Sequence, residues 1–319
     1  MLTNFPNGIS SFGIPIYGQI SANVPPVGLV YFVDTSKGSD AHSGLDKDNA
    51  FATFQKAITM QIAHTEGLGD LIYVLPGSYA ESLTGDLVKV QIIGVTSGAC
   101  HPVSIRPTAS YSYTGSMTDS AFRNIMFMSP STSSKTKAAV LLTYMGYSTI
   151  DNCTFIGRTT DALTGLQFGL ETDNATVVKC DFSQITNNVF TSFYGASSQF
   201  AYGIKFNDKD AVSTPNNKQV WFTLIAGNRI WAKTTGIHFG CGAGKIDGTV
   251  VVDNYISSHE SDNGCASFGI KSLTTGSSMI IARNYIMAVD AISGFQNNCL
   301  MGNWISESGT VATELPATT

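Results

Sequence analysis

Between Val250 and Ser306 the chain repeats one short phrase three times: VVVDNYISS from Val250, MIIARNYIMA from Met279 and CLMGNWIS from Cys299. Each copy is an apolar run, an asparagine, an aromatic residue and then isoleucine. A second phrase lies between the copies, FGIKS from Phe268 and AISGF from Ala291. The same pair runs backwards through the chain as IAGNRI with GIHF, ITNNVF with YGIKF, and IDNCTF with GLQF, and FRNIMF is the earliest member. The asparagines Asn124, Asn152, Asn188, Asn228, Asn254, Asn284 and Asn303 are separated by 28, 36, 40, 26, 30 and 19 residues. Constant phrases with variable gaps describe a solenoid whose loops differ in length. The apolar phrases are too short and too β-branched for helical heptads. Three short strands per turn, each pointing an Ile, Val, Leu or Phe inward, predict a right-handed parallel β-helix, an all-β fold. Asparagine tolerates the left-handed conformation of a tight corner, and its amide can bond to the asparagine one coil away. All seven are therefore expected in one ladder. Turn asparagines in an antiparallel sandwich are the competing reading, but a sandwich gives no reason for Ile or Phe two residues after Asn in coil after coil.

Composition narrows the function. Charged residues make up only 13% of 319, and the net charge is −5 with no basic block, which argues against a nucleic-acid partner. The longest apolar runs, such as LIYVL from Leu71, are strand-sized, so no membrane span is expected. The opening MLTNFPNGIS has neither a basic start nor an apolar core, so synthesis and folding in a host cytoplasm are expected. The six cysteines lack paired close spacing and read as buried thiols.

In chain order, residues 1–27 read as an extended anchoring arm. Its apolar residues Phe5, Ile9, Phe12, Ile14, Ile16 and Tyr17 cannot build a core and must lie on something else. Residues 28–306 form the solenoid, opened by a strand at Leu29 to Val33 and an amphipathic helix near 51–63. That helix carries Phe51, Phe54, Ile58 and Ile62 on one face, is capped by Asp48 or Asn49, and covers the open end of the stack. Residues 307–319 are a C-terminal tail. The carboxylates Asp40, Asp46 and Asp48 are suited to calcium, but their spacing fits no EF-hand loop, and a hydrogen-bonded loop is the alternative.

The string YFVDTSKGSDAHSGLDKDNAFATFQKAI, followed by GDLIYVLPGSYAES, resembles the opening of pectin-lyase-like parallel β-helix proteins. The matching residues are Val33, Asp34, Gly38, Asp40 and Gly44, then Gly69, Asp70, Ile72, Val74, Pro76, Gly77 and Tyr79. The resemblance implies the fold over residues 28–306. It leaves activity open, because the fold carries lyases, hydrolases, esterases, phage tailspikes and non-catalytic surface proteins.

The phrase G-I-x-F places Gln167, Lys205, His238 and Lys271 at one outward position of successive coils, a candidate glycan or subunit face. No pair of carboxylates accompanies them, as glycoside hydrolysis would need. Asp151 and Asp253 read as corner residues. No catalytic residue, cofactor or metal is assigned. The expectation drawn from these features is a non-enzymatic structural protein on the virion surface of a tailed bacteriophage. It would be a capsid decoration or accessory protein, homotrimeric and anchored to other virion proteins by its arm. The alternative is a tailspike, or a depolymerase acting on host surface glycan.

Overall fold

The computed structural model describes residues 10–11, 14–15, 28–64, 69–95, 103–131, 138–158, 164–169, 178–192, 198–206, 218–241, 246–257, 266–272, 278–295, 299–306 and 313–314. Among them the chain winds as a right-handed parallel β-helix, its strands from Val30–Val33 to Trp304–Ser306 pairing in parallel with their counterparts one coil away, while Thr313–Glu314 returns antiparallel on Trp304–Ser306. A typical coil comprises the strands Gln184–Thr186, Val189–Ser192, Phe200–Phe206 and Lys218–Trp221, with a tight corner between the first two. We call these the first stack, the second stack and the two halves of the third stack.

The register shows why the repeated phrases matter. Ile92, Phe122, Ile150, Ile185, Ile225, Val251 and Ile281 follow one another inside the first stack. Inside the second stack run Ile105, Phe127, Phe155, Phe190, Ile230, Ile256 and Ile286. Phe155 and Phe190 stack at 4.5 Å, as do Phe168 and Phe206 in the third stack. These side chains form one continuous buried core. The glycine of G-I-x-F has a packing reason: a Cβ at Gly203, Gly236 or Gly269 would lie 2.2–2.3 Å from Ile230, Ile256 or Ile286 of the second stack.

The asparagine column corrects the sequence reading. Five of the seven form it: Asn188, Asn228, Asn254, Asn284 and Asn303, all buried. The Nδ2 of each of the first four donates to the Oδ1 of the next at 2.9–3.0 Å. The same Oδ1 atoms accept the backbone N–H of the preceding asparagine, and each Nδ2 also donates to a main-chain oxygen such as Ile225 O. Asn124 and Asn152 stand one position earlier, at φ 59° and 51°. They pair with each other on the outer surface through a 2.8 Å bond from Asn152 Nδ2 to Asn124 Oδ1. In their coils Ile125 and Cys153 occupy the buried position, and Cys153 N–H donates to Asn188 Oδ1. The left-handed residue is thus the one before the ladder asparagine, namely Asn187, Gly227, Asp253, Arg283 or Gly302.

A second constant corner joins the third stack to the first. Ser120, Ser148, Ser183, Thr223 and Thr249 are buried there, and Ser148 Oγ and Ser183 Oγ accept the backbone N–H of Ser120 and Ser148.

The capping helix runs Phe54–Ala63 and buries Phe54, Ala57, Ile58 and Gln61; Ile62 is largely exposed, against expectation. Its N-cap is Thr53, not Asp48 or Asn49, and Thr53 Oγ1 accepts from Lys56 N–H. The cap sits here because Glu81 reaches across to accept the Phe54 and Gln55 N–H groups at 2.9 Å, satisfying donors that every helix start leaves open. Asp40 holds the Ala52 and Thr53 N–H groups, and Asp46 those of Asp48 and Asn49. The helix covers the free strand edge: Gln61 Nε2 donates to Val88 O, and Gln55 bonds the main chain of Thr84 in both directions. Of the anchoring arm, only the main chain of a short antiparallel pair, Ser10–Ser11 with Ile14–Pro15, is described; Phe5, Ile9, Phe12, Ile16 and Tyr17 lie outside the described residues.

Removing the Asn254 side chain orphans the Asn228 N–H and the Ile225 carbonyl together. Asn254→Ala is expected to cost about 3 kcal/mol or more, and Asn152→Ala on the outer surface under about 1 kcal/mol. Urea unfolding of the two variants checks the difference.

Candidate functional site

The G-I-x-F phrase builds one column on the outer side of the first half of the third stack. Gln167 pairs in register with Lys205, Lys205 with His238, His238 with Lys271, and Lys271 with Ser293. Successive members are one coil apart, about 4.8 Å. Core residues flank each of them, such as Ile204 and Phe206 around Lys205.

These residues are not the solvated face that outward placement suggests. Gln167, Lys205 and His238 are buried and Lys271 is partly buried. Aromatic side chains from the same strands explain part of this: Lys205 Nζ lies 4.3 Å from the centre of the Tyr202 ring, and Lys271 Nζ lies 3.6 Å from that of Phe268. The Tyr202 ring also lies 5.5 Å from His238. Gln167 Nε2 donates to Gly169 O at 2.8 Å, while Gln167 Oε1 and His238 Nδ1 have no hydrogen-bond partner in the structure.

Burial pushes the His238 imidazole down to about 4, and the nearby ammonium groups of Lys205 and Lys271 push the same way. The ring is therefore neutral at pH 7, and its Nδ1 is buried without a hydrogen-bond partner. An anion bound between the lysines would oppose their effect and raise its basicity.

The other candidate carboxylates have local partners. Asp151 accepts from Thr186 Oγ1 at 2.7 Å and Asn187 Nδ2 at 2.9 Å, and Asp253 forms a two-point pair with Arg283 at 2.7 and 2.8 Å. Asp253 is a corner residue, as the sequence suggested; Asp151 instead ends the strand Thr149–Asp151, one position before the corner. Among the described residues no group of three His, Cys, Asp or Glu side chains is placed to hold a metal ion. Cys153 and Cys180 are buried free thiols pushed up to about 12 by desolvation, which leaves them unreactive.

Sequence reasoning missed a second group, in the other half of the third stack. Tyr147, Phe182 and Phe222 stack on the outer surface at its corner, with Asp181 and Trp221 beside them. The sequence signal was an aromatic directly before each corner Ser or Thr, in YS, FS and FT.

No protein-family model matches the sequence, and no curated protein matches it. Solved structures do match in fold. A lacto-N-biosidase from Eubacterium ramulus aligns at TM-score 0.55 and 11% identity, over 89% of this chain and 57% of that one. This chain therefore spans little more than half of that enzyme. A rhamnogalacturonan lyase aligns at TM-score 0.49 and 12% identity, over 88% and 75% of the two chains. An alginate lyase from Paenibacillus sp. str. FPU-7 aligns at 0.45 and 14%, over 80% and 95%. At such identities the likeness is one of fold, and it agrees with the pectin-lyase-like resemblance at that level.

The comparison also corrects the expectation that the chain is not an enzyme. The lacto-N-biosidase that shares its winding is an enzyme, so a missing carboxylate pair in one column is no ground for excluding catalysis.

The neutral state of His238 has a thermodynamic signature. Its folded value lies below the unfolded 6.5, so the unfolded chain binds the proton more readily. The wild type is expected to lose stability relative to His238→Gln as pH falls from 6.5 to about 4, by roughly 3 kcal/mol in all. Urea midpoints of the two proteins across that range measure it.

Proposed function

We propose that this chain acts on an acidic polysaccharide, by elimination, along the Gln167–Lys205–His238–Lys271 column. The observation that carries the reading is the alignment of two lysines with an uncharged histidine between them at one register position of successive coils. The lysine positions are two coils apart, about 9.6 Å, so a uronate chain lying along the axis can set the carboxylates of alternate sugars against Lys205 and Lys271. Neutralising a carboxylate acidifies the carbon next to it; His238 Nδ1, unpartnered but closed off from solvent, would take that proton once the ring turned outward. The bond from the neighbouring carbon to the glycosidic oxygen would break as the carbon–carbon double bond forms, and the leaving oxygen would take a proton from the imidazolium or water. Gln167 adds an amide for a sugar hydroxyl or carboxylate oxygen. Elimination requires one base and charge neutralisation, whereas hydrolysis requires two carboxylates. The solenoid supports such a role because it holds these groups on rigid, paired strands.

The setting proposed with this activity is the surface of a tailed-phage particle, with a homotrimer, other virion proteins and host surface glycan as partners. The rigid, sparsely charged winding suits display there, and residues 1–27 would serve as the anchor. Particles assembled with a chain lacking 1–27 are expected to lose the protein; retention would remove the arm from that role.

Incubation with alginate and polygalacturonate is expected to release unsaturated, ultraviolet-absorbing ends. Lys205→Ala and Lys271→Ala should each lower kcat/KM about tenfold or more, the worth of a charge-assisted hydrogen bond. Reducing ends without unsaturation would replace elimination by hydrolysis. Binding and turnover of neutral polymers alone would sink the acidic-substrate reading.

A further inference from the structure

The corner between the third and first stacks carries an arrangement that stability does not account for. Tyr147, Phe182 and Phe222 stand at φ 51°, 51° and 48°, the left-handed region that bulky side chains disfavour. The same corner holds Asp119 and Gly248 in other coils, so an aromatic is not required to make the turn. The three rings lie 5.0 Å apart in near-parallel planes and remain 60%, 47% and 51% exposed. Phe222 folds over Gly248, where a Cβ would lie 2.4 Å from the ring. Strained backbone that presents half-exposed rings in a row points to contact with something outside the chain.

What that contact is follows from the polar groups alongside. Lys179 pairs in register with Gln219, and Asp181 with Trp221. Asp181 Oδ1, Gln219 Oε1 and Trp221 Nε1 have no hydrogen-bond partner, though each atom is closed off from water. Asp181, Gln219 and Trp221 are partly exposed as residues, and these atoms would face a ligand only if their side chains turned outward on its binding. Burial raises the Asp181 carboxyl, with Lys179 acting against it, and the Tyr144 hydroxyl is influenced by the same carboxylate. Two acceptors and one indole donor beside stacked rings match a sugar, which offers apolar C–H faces and hydroxyls that both donate and accept.

We propose that Tyr147, Phe182 and Phe222, with Asp181, Gln219 and Trp221, form a second glycan contact that binds a sugar ring by stacking and hydroxyl hydrogen bonds. The inference rests on the glycan-acting reading but uses none of the residues of the lysine–histidine column. It places the polymer across both halves of the third stack, with this half gripping uncharged parts of the sugar.

The test uses the full chain with Phe182→Asn, Trp221→Phe and Lys205→Ala, titrated calorimetrically with alginate, polygalacturonate and dextran fragments. Asparagine tolerates positive φ, so Phe182→Asn should keep its melting temperature while losing the ring. Trp221→Phe keeps a ring and removes only the donor. Each is expected to weaken fragment binding about fivefold, the worth of one contact. If both bind as the wild type does while Lys205→Ala binds poorly, the second contact is overturned and the acidic column stands. The reverse pattern supports the contact and overturns the column. A wild type that binds no fragment overturns both. An oligomer that Phe182→Asn dissociates in sedimentation would make the ladder a junction between copies and overturn the inference.

Discussion

A dry interior that must contain main-chain corners is the constraint on which this fold depends. Each coil turns sharply between its first and second stacks, and the turn leaves an N–H and a carbonyl inside the wall, out of reach of water. Asn188, Asn228, Asn254, Asn284 and Asn303 meet both, and the same amides bond to one another through the stack. A hydrogen bond of this kind adds only about 1 kcal/mol net, but an orphaned partner costs more. The column therefore acts as a condition for closing each coil, and the aliphatic core can stack only once it is met. Where the asparagine is absent, Ile125 and Cys153 fill the space, and Cys153 still donates its N–H to the first amide of the column.

Much of this was legible in the sequence because the physics repeats at a fixed register. The core columns, the helix and the Gln167–Lys205–His238–Lys271 alignment all follow from short phrases in which one position always faces the same way. The misreadings came from single-residue offsets. Asn124 and Asn152 look like ladder members, but in FRNIMF and IDNCTF the asparagine stands one position before the inward-facing residue, which is Ile125 or Cys153. The helix cap was misplaced because Thr53 is selected by Glu81, far off in sequence. The burial of the lysine–histidine column was not legible either, since its shielding depends on neighbouring rings such as Tyr202 and Phe268. The aromatic corner was overlooked because bulky residues at positive φ run against ordinary turn preferences.

Two kinds of surface chemistry thus share the third stack. One half carries cations and a neutral imidazole; the other carries stacked rings and orphaned polar atoms. They are tied by the strands themselves, because each coil passes from one half to the other.

The two constant corners have an evolutionary consequence. Both are confined to a pair of residues, such as Phe182–Ser183 and Asn187–Asn188, and each couples its coil to the next. From the Ala121–Arg123 coil onward, changes in chain length fall instead in the segments around the third stack, from the uninterrupted Arg229–Phe239 strand to the long span between Phe206 and Lys218; the earlier coil differs, with residues 95–102 between its first two stacks. Insertions and deletions can accumulate on that flank with no loss of register elsewhere. A lineage of such chains can diversify its specificity on one side while inheriting its framework unchanged on the others.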